Sequence, residues 1–322
     1  MYTRRIFPVA GVLKWTRRHI FLFLFLALIP VFLFDVLGLK WLHVPWLPLG
    51  VLGTAVAFIV SFKNNASYDR LWEARKIWGG IVNTSRSLIM TVKDSFYVHN
   101  TEIREDEKEE LLIITKRHIA WLDALRYAMR TKKSWETSYT SDKSNDKQFW
   151  VTPEHITPIE EELKCYLSEH EFAYVMSKDN KPNAIMNLQS QHFRKLTDQG
   201  KFWDFTLLRL QEMLQELTAL QGKSERIKNF PYPKQYGSIG YHFVHIFMWL
   251  LPLAIIPAFS KMGFGLAETN PFISTYFVWL NIPFTVIVIW VFNTMLRIGL
   301  AGENPFEGSP NDVPISTISR GI

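Results

Sequence analysis

The sequence predicts an all-α membrane protein with four transmembrane helices and a helical cytoplasmic bundle. Three observations carry that expectation. The 322-residue chain is 48% hydrophobic but its charge is segregated: residues 99–230 are strongly charged, and both ends are almost charge-free. Four uncharged stretches are long enough to span a hydrocarbon core of about 30 Å, which takes about 20 helical residues. Apolar residues in the middle region recur at three- and four-residue steps, and strand signals are few.

The first stretch lies between Arg18 and Lys40, where IFLFLFLALIPVFLF is almost pure hydrocarbon and only His19 and Asp35 can ionise. Trp41–Phe62, Gln235–Ser260 and Thr269–Leu296 carry no formal charge. Buried core helices rarely run so far without one. Pro30, Pro48, Pro252, Pro257 and Pro283 start or break helices, and membrane helices tolerate such prolines. A signal peptide is a weaker reading of the first stretch, which lacks a small-residue cleavage site and is followed at once by another span.

Basic residues set the expected orientation. Residues 1–18 hold Arg4, Arg5, Lys14, Arg17 and Arg18 with no acid, whereas the links between paired spans offer only Lys40 and Lys261. The positive-inside rule then puts both termini and the middle region in the cytoplasm. Trp41, Trp46, Tyr236, Tyr241, Tyr276 and Trp279 fall near span ends, as interfacial aromatics do. This accounts for the net charge of +6 without nucleic acid. The expected division is residues 1–66 for the N-terminal segment and first two spans, 67–234 for the cytoplasmic helical domain, 235–300 for the last two spans, and 301–322 for a cytoplasmic tail.

In the middle region, residues 63–98 continue from the second span as an amphipathic helix. Residues 101–130 open on TEIREDEKEE, suited to a helix N-terminus. Residues 131–157 read as a polar loop, Pro158–Leu167 as a short helix, Pro182 to about Gly200 as another, and 201–227 as a long amphipathic helix.

Enzyme chemistry finds no support. There is no phosphate-binding glycine loop, no HExxH and no GxSxG elbow. Cys165, the one cysteine, excludes a disulfide scaffold and a cysteine zinc site. No cofactor or metal is expected. His242 and His245 share a helix face, where a metal or proton relay competes with the plainer reading of a hydrogen-bonded interfacial pair. Glu160, Glu161 and Glu162 read as a solvated first helical turn, and Asp35 as a side chain reaching water at the outer end of the first span.

The informative segment is GTAVAFIVSFKNNASYDRLWEARKIWGGIVNTSRSL, residues 53–88. Thr54, Phe58 and Phe62 fall at four-residue steps on one stripe of the second span. Such a stripe is either core packing or, with several copies around an axis, the wall of a pore that can gate by dewetting. The positive edge of each Phe ring would tolerate an anion.

The run Phe62-Lys63-Asn64-Asn65-Ala66-Ser67-Tyr68-Asp69-Arg70, followed by Trp72-Glu73-Ala74-Arg75-Lys76, Trp78-Gly79, Asn83, Ser85 and Arg86, resembles the bestrophin family, in particular its bacterial branch. So do Glu303-Asn304-Pro305-Phe306-Glu307 with Asn311-Asp312 and Pro314, and more loosely Phe230-Pro231-Tyr232-Pro233. The resemblance implies a homopentameric ion channel in the bacterial inner membrane, its partners being copies of itself, the lipid bilayer and the permeating ions. Five second spans would line the pore. The family's neck positions fall on Thr54, Phe58 and Phe62, and a cytoplasmic aperture is expected at Ile185. Thr54 departs from the usual apolar residue and would wet the outer neck slightly. Asp69, Arg70 and Glu73 are expected in a structural network. The acidic run that helps animal members bind calcium is absent, so no calcium site of that type is expected. Small anions such as chloride are favoured, with a sodium-type cation pore as the alternative. The competing reading is a membrane-anchored regulatory or transport protein whose cytoplasmic bundle binds a partner.

Overall fold

A computed structural model describes residues 8–96, 104–136 and 152–322. The regular elements found among them are helical: α1 (Val9–Asp35), α2 (Trp46–Phe96), α3 (Glu105–Arg130), α4 (Ile159–Lys164), α5 (Glu169–Met176), α6 (Lys181–Asp198), α7 (Asp204–Asn229), α8 (Lys234–Gly265), α9 (Pro271–Tyr276), α10 (Asn281–Ala301) and α11 (Ile315–Arg320). Short 3₁₀ turns cover Pro153–His155 and Phe277–Leu280. Four stretches are long and apolar enough to cross a membrane: α1, α2, α8 and the run Pro271–Ala301.

The chain divides into two compact units. Among the described residues, one comprises 8–69 and Tyr232–Glu303; the other comprises 70–96, 104–136, 152–231 and Asn304–Ile322. At 51 residues α2 belongs to both, and at 1.5 Å per residue it is about 77 Å long, more than twice a hydrocarbon core. The polar turn at Lys63 therefore ends the uncharged run without ending the helix.

In the first unit α1, α8 and α10 pack together. Phe23, Leu49, Val56, Val60, Val244, Phe247, Leu251, Ile289 and Leu296 make its core. Gly53 lets α2 approach α8, since a Cβ there would lie 2.8 Å from the Phe247 ring. Asn281 is buried and paired: its Nδ2 donates to the Pro252 carbonyl at 3.2 Å and its Oδ1 accepts from Thr285 Oγ1 at 2.7 Å. Trp279 Nε1 donates to Asp35 at 2.9 Å, so Asp35 is anchored as well as partly wet. The fourth span is not one regular helix. Pro283 has no N–H and its ring crowds the carbonyl four residues back, so α10 begins at Asn281 after the 3₁₀ turn.

In the second unit Trp78, Ile81, Leu88, Trp121, Leu125, Phe193 and Phe306 are buried in one cluster. α4, α6 and α7 follow the predicted helices closely. The polar-loop expectation for 131–157 lies largely outside the described residues, of which 131–136 and 152–157 include the 3₁₀ turn. α5 and α11 were not predicted, although Ser168 and Glu171 form a capping box that announces α5.

Charges inside this unit are neutralised in a network. Arg126 donates to Asp123 at 2.7 and 3.1 Å and to Glu154 at 2.8 Å, and Ser316 donates to the same Glu154 oxygen. Arg130 lies 3.9 Å from the second oxygen of Glu154. Removing one member of such a set strands the others. Glu154→Ala is expected to cost about 3–5 kcal/mol, and Arg194→Ala, which breaks only an exposed pair with Asp198, under about 1 kcal/mol. Thermal unfolding of both variants in the same detergent checks this; similar melting temperatures would refute the ranking.

Candidate functional site

The stripe predicted on the second span lies on the surface of its unit. Phe58 is 61% and Phe62 71% exposed, and Thr54 is exposed above them. Two four-residue steps cover about 12 Å along a helix. The opposite side of α2 is sealed: Val56 and Val60 are buried in the core. Core packing is thereby excluded for the stripe within the chain's own fold. Thr54 Oγ1 donates to the Gly50 carbonyl at 3.0 Å. The hydroxyl hydrogen is spent on the helix itself, which reduces the wetting expected of this residue.

Lys63 follows Phe62 but points the other way. It is 2% exposed, and its Nζ lies 2.8 Å from Glu303 Oε1. One residue turns a helix by about 100°, so the ammonium leaves the stripe and finds a carboxylate at the end of α10. Asn64 fits against Gly299, where a Cβ would stand 2.2 Å from its Oδ1, and Ser67 fits against Gly302. Sequence reasoning missed this pairing. Its signal was masked: Lys63 directly follows one uncharged span, but Arg297 stands between the other and Glu303.

Ile185 requires a correction. It is 1% exposed and sits in the core of the second unit with Ala184, Met186 and Phe193. A side chain that lines an opening must be open on its own chain, and Ile185 is covered. The exposed face of α6 carries Asn183, Asn187 and Gln191 instead. The helix was placed correctly, but the residue facing outward was not. A second correction concerns Arg70 and Glu73. Arg70 Nη2 donates to the carbonyls of Ile227 and Phe230, both at 2.5 Å, and so caps the end of α7. Glu73 pairs with Lys76 at 2.7 Å.

His245 Nδ1 donates to the Tyr241 carbonyl at 2.7 Å, and its ring lies 4.0 Å from that of Tyr241. The His242 ring lies 5.7 Å from that of Tyr241. Glu160, Glu161 and Glu162 occupy the first turn of α4.

The tail motif is an anchor. Phe306 is buried 6.4 Å from Trp78, and its carbonyl accepts from Arg130 Nη1 at 2.7 Å. Asp312 accepts from the amides of Gly308 and Ser309 and from the Ser309 hydroxyl. These bonds hold a turn in which Gly308 takes a φ of 96°, a conformation that suits glycine. Glu307 accepts from Asn304 Nδ2 at 2.6 Å, close to the buried Lys228–Glu136 ion pair.

The comparisons agree with this architecture. The family described as Bacterial/Fungal Bestrophin protein matches residues 6–322. The chain belongs to the bestrophin family. It is similar to the voltage-dependent anion channel-forming protein YneE of Escherichia coli K12, at 26% identity over 100% of this chain and 89% of that protein. A protein of the same description from Ralstonia nicotianae is 26% identical, covering 86% of this chain and 78% of its own length. The crystal structure of a bacterial bestrophin homologue from Klebsiella pneumoniae superposes with a TM-score of 0.70 at 21% identity, covering 95% of this chain and 94% of that one. This bestrophin is accordingly a multi-pass membrane protein of all-helical fold.

The tail of this bestrophin should respond to pH. Burial first, then Asp312 and Glu136, push the Glu307 carboxyl from 4.5 up to about 8, against the Asn304 hydrogen bond and Lys228. The folded chain keeps that proton to higher pH than the unfolded chain. The associated stability is complete below about pH 4.5 and is lost as pH rises through about 8. Glu307→Gln should melt close to the wild type at pH 5 and a few degrees above it at pH 8.5, a gain of about 1–2 kcal/mol. Parallel melting curves at both pH values would refute this.

Proposed function

We propose that the protein is a homopentameric channel of the bacterial inner membrane that passes small monovalent anions such as chloride. The observation that carries this reading is the uncharged stripe Thr54, Phe58 and Phe62, exposed on a membrane span whose neighbouring lysine is turned inward and neutralised. Five copies of that face around an axis make a hydrophobic neck without a fixed charge. Phe edges carry partial positive charge, and a narrow apolar ring passes ions only when wetted. The anion-channel names of the relatives from Escherichia coli and Ralstonia nicotianae favour anions over a sodium-type pore.

The first unit is the membrane part, with residues 1–66 and 235–300 holding the four spans. Residues 67–234 and the tail 301–322 are cytoplasmic, because the basic residues flanking the spans lie on that side and the links between paired spans hold only Lys40 and Lys261. Ions are the substrates, and no cofactor takes part. The buried Ile185 is no longer assigned to the aperture.

Purified protein in planar bilayers under asymmetric sodium chloride tests the reading. Reversal near the chloride potential supports it; reversal near the sodium potential replaces the anion pore by a cation pore. Silence from well-inserted protein, or a native mass of one or two chains, favours a membrane-anchored regulatory protein. Phe58→Ala and Phe62→Ala should each raise single-channel conductance severalfold by widening the neck. Conductance unchanged in both would remove the stripe from the pore wall.

A further inference from the structure

Arg297 is the one charge between Asn281 and Ala301 on α10. It is partly buried. Its guanidinium lies over the Trp15 ring at 4.8 Å, and Nη1 donates to His19 Nδ1 at 2.9 Å. Both partners are on α1, which is also held to α10 by a 2.9 Å bond from Trp290 Nε1 to Thr16. An aromatic face and an imidazole that accepts a hydrogen bond are weak compensation for a guanidinium leaving water. Among the described residues no carboxylate lies within ion-pair distance of Arg297. The sequence explains why: residues 1–34 contain no acid, and the nearest acid after α10, Glu303, is committed to Lys63. Lys14, Arg17 and Arg18 add positive charge on the same stretch of α1, all exposed. Apolar side chains flank the cluster and face outward, Leu13 and Phe21 on α1 and Met295 and Ile298 on α10.

We propose that the junction of α1 and α10 at Trp15, His19 and Arg297 binds the phosphate of an anionic glycerophospholipid, with its acyl chains along the exposed apolar residues. A guanidinium forks onto a phosphate with two parallel hydrogen bonds. Basic pockets between spans on the cytoplasmic side are the usual form of such recognition. A soluble phosphate would satisfy Arg297 equally but would leave the flanking apolar residues unused, which favours the lipid. The inference rests on the membrane placement of the four spans and not on conduction.

Native mass spectrometry of the full-length protein with equal amounts of phosphatidylglycerol and phosphatidylcholine tests it without a current measurement. The wild type should retain phosphatidylglycerol preferentially, and Arg297→Gln should lower that retention about fivefold. Arg297→Lys should fall between them, because it keeps the charge and loses the fork. Should Arg297→Gln fail to fold, the double variant Lys14→Gln/Arg18→Gln at exposed positions should lower retention in the same direction. Inorganic phosphate at millimolar concentration should not displace the lipid. Equal retention of the two lipids by the wild type, or retention unmoved in every folded variant, overturns the proposal. Displacement by inorganic phosphate overturns it as well, leaving a soluble-anion site.

Discussion

A lysine ammonium at the end of an uncharged membrane span cannot be left alone in a dry place. Lys63 is almost fully covered, and the Glu303 carboxylate meets it at 2.8 Å. Breaking a buried pair by deleting one partner is costly, because the survivor remains charged and desolvated. The pair therefore fixes the rotation of α2 about its own axis. With Lys63 inward, Phe62 must face outward, and Phe58 and Thr54 follow by periodicity. It also fixes where α10 must end, since Glu303 follows that helix by two residues. Gly299 completes the fit by leaving room for Asn64.

The features most legible in the sequence were those set by one strong physical term. Hydrocarbon length and charge avoidance placed all four spans, because a bilayer penalises every exception. Helical periodicity located α3, α6 and α7. The stripe on α2 was visible as a spacing but not as an exposed face, since packing and pore lining share the same period. Its direction depended on Lys63, whose partner lies 240 residues away. Ile185 shows the opposite failure. The helix beginning near Pro182 was found, but Ile185 is the middle of the buried run Ala184–Met186, and the exposed positions Asn183 and Asn187 lie two residues to either side. Arg70 illustrates a third kind of miss. Charges close in sequence suggested a local network, whereas α7 ended with carbonyls that needed a donor, and a guanidinium satisfied two of them.

The chain crosses between its two compact units at three internal places: Asp69/Arg70, Pro231/Tyr232 and Glu303/Asn304. Each crossing falls inside one of the three segments that carry the family likeness. The physical reason can be given residue by residue. On one side of the first and third crossings, Lys63 and Glu303 are joined within the membrane unit. On the other side, Arg70 closes the end of α7 at Ile227 and Phe230, just before the second crossing, and Phe306 enters the helical core beside Trp78. The chain is thus held on both sides of the first and third crossings and just before the second. Within these segments Lys63, Arg70 and Phe306 answer to a burial or a charge requirement, whereas Tyr68, Trp72 and Phe230 are exposed. The stripe above Lys63 answers to neither requirement within one chain. Phe58 and Phe62 stand uncovered within one chain, as Phe21, Phe25 and Phe284 do on other spans, and what sets them apart is their four-residue spacing beside an inward-turned Lys63.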